Sequence, residues 1–284
     1  MTTAIVVIVS AMLTAALEKY DELIENAANL LTNSASSLVN TEWGNVIGMS
    51  NTAFTAICNI IIAICVLVEL AQVAAKVDII KWEHAIKIGV KMALAKSCME
   101  IAPDFLEACY AQVCDGITSV HADYTQPKLG AKFLSILSNT VNKVDDLGGA
   151  VSLLVTTLLL MLAIRVCSFL VVSIAYVRNI EILMYLMISP LPCSFFPFGE
   201  GINRITVRFF KGFIAVCLQG LFMYMCIRLF GAVINGITVD SPADDANAVV
   251  STMDLCWQMI MYSVMLILAI TKCGSWAKSI MDVA

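Results

Sequence analysis

Between Val151 and Val177 the chain runs for 27 residues with a single charge, Arg165. As an α-helix rising 1.5 Å per residue, that stretch is about 40 Å long, more than the roughly 30 Å of a bilayer's hydrocarbon core. Composition agrees: 60% of the 284 residues are apolar and 14% charged, against about 45–50% and a quarter in an average soluble domain, and the mean hydropathy is +0.87. Lipid is therefore the expected solvent. Disorder, collagen-like repeats and small disulfide scaffolds are excluded. A net charge of −5 also excludes the usual basic nucleic-acid-binding domain.

Other segments follow the same logic. Asn51 to Ala75 carries only Glu69 as a charge, and at about 100° per residue Thr55, Asn59, Glu69 and Gln72 fall on one side, which should meet protein or water. Gly212 to Ile234 contains Gln219 and Arg228, and Leu255 to Thr271 is free of charge. Ala4 to Leu17, with no Lys or Arg ahead of it, reads as a short or interfacial helix rather than a leader; it runs into a charged helical stretch and then a polar loop. Lys81, His84, Lys87 and Lys91 share one helical face, with Glu100 and Glu107 on another. That segment is too charged to span alone and reads as amphipathic, ended or kinked at Pro103. Asp115 to Asp146 turns polar and reads as the main connection outside the membrane. Gly148 and Gly149 open the following helix.

Ile180 to Ser189 is mostly apolar but short before Pro190, Pro192 and Pro197. Three missing backbone donors rule out a straight span there, so a proline-broken or re-entrant helix in a protein-lined or interfacial setting is expected. The fold class is therefore all-α: a polytopic integral membrane protein with four to five transmembrane helices, the broken helix and amphipathic helices. Its regions are 1–50, N-terminal and interfacial; 51–114, first span and lysine-rich helix; 115–147, polar connection; and 148–284, the transmembrane core. Arg204, Arg208 and Lys211 on one side, Lys272 and Lys278 on the other, and an acidic loop between them from Asp240 to Asp254 place the C-terminus in the cytoplasm. The N-terminal half stays open, because a crossing by the helix near Cys98 to Val113 cannot be decided.

Chemistry is sparse. Phosphate-binding glycine loops, nucleophile elbows, His-Glu-x-x-His pairs and paired carboxylates in an apolar context are absent from the sequence, so neither an enzyme, a metal site nor a cofactor is expected. The eleven cysteines contain no Cys-x-x-Cys pair and the two histidines, His84 and His121, are far apart. Buried packing thiols are expected, with a loop disulfide among Cys98, Cys109 and Cys114 as the alternative. Trp43, Trp82, Trp257 and Trp276 read as interface anchors. The candidate site is the intramembrane set Glu69, Arg165 and Arg228. Placing an arginine near the bilayer centre costs roughly 2.5–3.5 kcal/mol on insertion scales. The set is either a lined pathway or a recognition site for an anionic group, or else an Arg165–Glu69 ion pair or arginines bonded to carbonyls at the broken helix. Arg165, Ser168 and Tyr176 form a stripe expected to face inward. Two polar-faced spans cannot be surrounded by so few helices, so self-association is expected. Arg204, Arg208 and Lys211 stand four and three residues apart, on one helical side where a lipid headgroup or an acidic partner can bind.

The order of segments carries more. Ile61-Ile62-Ala63-Ile64-Cys65-Val66-Leu67-Val68-Glu69-Leu70 is followed by Ile80-Lys81-Trp82-Glu83-His84-Ala85-Ile86-Lys87 and Met92-Ala93-Leu94-Ala95-Lys96-Ser97. Then come Arg178-Asn179-Ile180-Glu181-Ile182, Ser189-Pro190-Leu191-Pro192, Gly199-Glu200-Gly201 and the run Phe209-Phe210-Lys211-Gly212-Phe213 through Gly220. Over about residues 45 to 280 this resembles the TrbL-like polytopic membrane subunit of type IV secretion systems, in the form found in conjugative elements of Gram-positive bacteria. The resemblance implies a non-enzymatic scaffold or channel component in the bacterial cell membrane. It further implies a homo-oligomer, pentameric in the family, beside transport ATPases, through or past which DNA and protein leave the cell. Bound phospholipids are expected from the basic cluster Arg204, Arg208 and Lys211 and not from the resemblance. Some relatives carry a long soluble C-terminal extension, and whatever resides there is not carried over. The rival is a small-molecule or ion secondary transporter, which also builds sites from broken helices and intramembrane charges; the internal repeats that would favour it are missing from the sequence.

Overall fold

The computed structural model describes residues 2–32, 42–76, 82–122, 147–198, 200–235 and 245–282. Among them the chain forms seven helices and no strand: α1 (Thr2–Thr32), α2 (Glu42–Lys76), α3 (Trp82–Ala122), α4 (Leu147–Ile188), α5 (Pro190–Ser194), α6 (Glu200–Asn235) and α7 (Asp245–Ile280). Four stretches are long and apolar enough to cross a membrane: Ser50–Gln72, Val151–Ser194, Asn203–Gly231 and Cys256–Ile280. The protein is thus an all-α polytopic membrane protein, as its apolar runs require.

Helices outrun the apolar segments that announced them. The expected first span sits inside α2, which begins at Glu42, and the expected last span inside α7, which begins at Asp245 within the acidic stretch. A helix need not stop where lipid stops, because each added residue gains its own hydrogen bond, and a carboxylate such as Asp245 suits a helix N-terminus. Pro103 does not end its helix either: α3 continues to Ala122, so the polar connection expected from Asp115 starts later, and residues 123–146 lie outside the described residues. An interior proline costs about 3 kcal/mol. Here Met99, Ala102 and Leu106 are buried on either side of it, and that burial offsets the lost bond. Ile180 to Ile188 is likewise no separate short segment, but the end of the 42-residue α4.

The break comes where the prolines put it. After Ser189 the chain forms α5, five residues long, and turns through Phe198. Its amides are reused at once: Cys193 N–H donates to Ser189 O at 3.3 Å, Phe195 N–H to Pro192 O at 3.3 Å and Phe196 N–H to Cys193 O at 3.2 Å. Ser189 Oγ donates back to Leu186 O at 2.8 Å, and Thr206 Oγ1 donates to Pro192 O.

The helices fall into two compact units. One comprises Met1–Leu31, Ser119–Val177 and Gly220–Ser275. Its core is a stripe on α4, Leu153, Thr157, Leu160, Ile164, Cys167, Val171 and Ala175, and another on α7, Cys256, Met259, Ser263, Leu266, Ile270 and Cys273, all buried at the i, i+3, i+4, i+7 spacing of a helical face. Cys167 Sγ donates to Ser263 O at 3.3 Å across them. The other unit comprises Thr32–Thr118, Arg178–Gln219 and Trp276–Ala284. Cys58 and Ile62 of α2 pack with Ala95 and Met99 of α3 and with Phe198. Leu106 and Tyr110 of α3 pack with Ile182, Leu183 and Leu186 of α4 and Phe213, Val216 and Cys217 of α6.

Gly212 permits the closest approach in that second cluster, since a Cβ there would stand 2.6 Å from Tyr185 Oη, while the Tyr185 ring packs on Phe209 and Phe213 at 5.2 and 6.0 Å between centroids. Gly212→Ala is expected to displace that ring and cost about 1–3 kcal/mol, lowering the thermal unfolding temperature in detergent. Tyr185→Phe in the same chain removes the clashing oxygen and should recover most of the loss. An unchanged unfolding temperature in the single variant would show that the ring moves freely.

Candidate functional site

Glu69 sits on the packed side of α2, one turn beyond Cys65 and Val66. Its Oε1 accepts from Lys91 Nζ of α3 at 2.5 Å, with both side chains partly accessible, 22% and 37%. Its partner among the described residues is therefore Lys91, while Arg165, the partner admitted by the sequence, belongs to the other unit. Lys91 stood out in the sequence only as one member of a basic face, and apolar periodicity does not say which two helices will lie side by side. Lys87 on the same face is exposed. Lys81 and the side chain of His84 lie outside the described residues.

Arg165 is exposed. On α4 it lies about 100° from Ile164, the centre of the buried stripe, and shares its side with Leu158, Leu162, Phe169 and Tyr176, which are all exposed, Phe169 to 72%. Of the expected inward stripe only Ser168 is buried; Arg165 and Tyr176 face out. The physical reason is angular. Ser168 is rotated toward the Ile164–Val171 face, whereas the other two are rotated away from it.

Arg228 is held by its own helix: Nε and Nη2 donate to Tyr224 Oη at 2.8 and 2.6 Å, with the guanidinium 5.0 Å above that ring. The arginine that does meet a carbonyl of another helix is Arg178, which the sequence offered only as the first residue of the segment Arg178 to Ile182. It is 1% exposed. Its Nε donates to Val216 O at 3.4 Å and its guanidinium lies 5.7 Å from the centre of the Tyr110 ring. Nη1 and Nη2 are buried without a hydrogen-bond partner. Burial raises the Tyr110 hydroxyl far above its ordinary pKa, a larger effect than the opposing pull of Arg178, and burial likewise raises the Cys114 thiol beside it. Both neighbours are thus neutral at pH 7, so neither supplies Arg178 with a counter-anion.

Pro190 and Pro192 are buried and Pro197 is half-buried. Arg204 and Arg208 are exposed and Lys211 half-buried, on one side of α6, which is continuous through them and turns its opposite face, with Thr206 and Phe213, inward. Trp82, Trp257 and Trp276 are exposed, Trp82 to 85%, and the Trp43 side chain lies outside the described residues. All eleven cysteines are free thiols, so Cys98, Cys109 and Cys114 form no disulfide; seven of the eleven are buried. Among the described residues, no three of His, Cys, Asp and Glu gather in a metal-binding geometry.

Two measurements separate these roles. In a double-mutant cycle of Glu69→Gln and Lys91→Gln, unfolding is expected to report a favourable coupling of about 0.5–1 kcal/mol, and the same cycle with Arg165→Gln none; coupling to Arg165 instead would contradict the pairing. For Arg178, burying a guanidinium that lacks an anion costs several kcal/mol, while its one hydrogen bond returns about 1.5–3. Arg178→Met is therefore expected to unfold at the same or a higher temperature than the parent. A clear drop would mean that the charge has a stabilising partner.

Against known families, residues 21–190, 170 of the 284, match one described as TrbL/VirB6 plasmid conjugal transfer like protein. A search of curated proteins found no match.

Proposed function

From the premise that the chain belongs to the TrbL/VirB6 plasmid conjugal transfer family, and so is a multi-pass membrane component of a conjugation machine working with other subunits, we propose that it is the scaffold or channel element of that machine in the cell membrane. The observation that carries this is the family match over more than half of the chain, coinciding with two of the four membrane-length helices. The role is non-enzymatic and needs no cofactor. The chain helps DNA or protein cross by shaping a path, and the cytoplasmic ATPases supply the work.

Self-association is part of the proposal. Arg165 on the outward side of α4, among Leu158, Leu162 and Phe169, would cost roughly 2.5–3.5 kcal/mol against acyl chains; a second copy gives it protein or water to face. A closed ring, pentameric as in the family, places such faces either between copies or along a central path. Arg204, Arg208 and Lys211 then form a cytoplasmic rim, each residue contributing about 1 kcal/mol toward an anionic surface, whether lipid headgroups or an acidic face of a partner ATPase, and the C-terminus lies on that side.

Deleting the gene in a donor cell is expected to abolish transfer, and the parental gene supplied in trans to restore it. A photo-crosslinking residue at Phe169 should give a ladder of homo-multimers in intact donors. Normal transfer from the deletion strain would refute the role in conjugation, and crosslinks to lipid alone would refute the association through α4.

A further inference from the structure

The second unit holds a cavity of about 300 Å³, at the small end of the range for ligand pockets. Its walls are Leu94, Cys98, Ile101 and Phe105 of α3, Phe196 of the proline break and Phe210 of α6. Phe105 and Phe210 close it edge to face at 6.3 Å between centroids. The lining is almost wholly apolar, and the hydroxyl of Thr206 is spent on Pro192 O. Leu94, Ile101, Phe105 and Phe196 are themselves exposed, so the cavity opens on an apolar surface.

The same face of α3 continues beyond the cavity. Val90 and Ile86 extend the exposed apolar ridge toward the helix N-terminus, and Lys87 and Lys91 stand beside it. Their situations differ. Lys91 is neutralised by Glu69, whereas Lys87 is exposed and forms no ion pair among the described residues; Glu83, one turn further from the cavity, is exposed and closes no pair with it. From Lys87 to Ile101 is fourteen residues, about 21 Å along the helix. A phospholipid from headgroup to chain end is about as long, half of the roughly 40–45 Å of a bilayer.

We propose that this surface is a binding site for an anionic phospholipid, one acyl chain lying along Val90 and Leu94 into the cavity and the headgroup phosphate held by Lys87. A cation at one end of an apolar ridge that leads into an apolar cavity matches an amphiphile with a charged headgroup, one of whose acyl chains follows the ridge. A protein segment from a second copy has no need of that spacing. The site is separate from Arg204, Arg208 and Lys211, which lie on the opposite side of α6 from Thr206, and it does not depend on the role in transfer.

The test uses the full chain in nanodiscs of phosphatidylcholine containing phosphatidylglycerol, with a diazirine in the acyl chain of one lipid or the other. Photolabelling followed by peptide mass spectrometry is expected to place the phosphatidylglycerol label on α3 between Leu94 and Phe105, in preference to the phosphatidylcholine label. Lys87→Gln should reduce that preference about fivefold and Lys87→Arg should retain it. Ser97→Phe, which adds a ring at the cavity mouth, should remove the label there while labelling around Trp257 continues, showing that the chain is folded. Equal labelling by the two lipids, indifference to Lys87→Gln, persistence in Ser97→Phe, or protection of α3 by a second copy would each overturn the proposal.

Discussion

In hydrocarbon no water is at hand for an unpaired N–H or C=O, and each one left open costs several kcal/mol. That constraint governs this molecule. It makes every described element a helix and it makes the proline break the most exacting place in the chain. Pro190, Pro192 and Pro197 each remove a donor, yet Ser189, Pro190, Pro192, Cys193 and Ser194 are all buried. The segment holds because its amides rebond within a turn, the Ser189 hydroxyl reaches Leu186 O, for which Pro190 has no N–H to offer, and the Thr206 hydroxyl adds a second donor to Pro192 O. The break also brings Phe196 and Phe198 against α2 and α3, forming part of a core and one wall of a cavity.

Charge is disposed in three different ways. Glu69 and Lys91 neutralise each other between two helices of one unit, where partial accessibility keeps the desolvation cost small. Arg178 is fully buried against an aromatic ring and a carbonyl, an arrangement that costs more than it returns unless function makes use of it. Arg165 is left on an outward face of α4 among exposed apolar side chains.

Much of this was legible in the residues. The apolar runs located all four membrane-length helices, the proline cluster located the break to within a residue, and the order of segments pointed to the family that residues 21–190 match. Helix ends were read poorly because hydropathy marks where lipid stops, not where hydrogen bonding stops; hence α2 reaching back to Glu42 and α3 passing through Pro103. Arg178 entered only as part of the segment Arg178 to Ile182, because its burial depends on Tyr110 and Val216, which lie on other helices.

The sequence by itself determined that the chain is helical and lipid-solvated, since both follow from local composition and from donors that proline lacks. Only the tertiary structure decided which charge meets which. Glu69 finds Lys91 because α2 and α3 lie side by side, Arg178 is buried because Tyr110 of α3 and Val216 of α6 close over it, and Arg165 faces out because the α4 stripe through Ile164 is turned inward. Pairing across helices depends on their rotation and neighbours, which are fixed by packing over the whole fold and leave no mark in the spacing of residues along one helix.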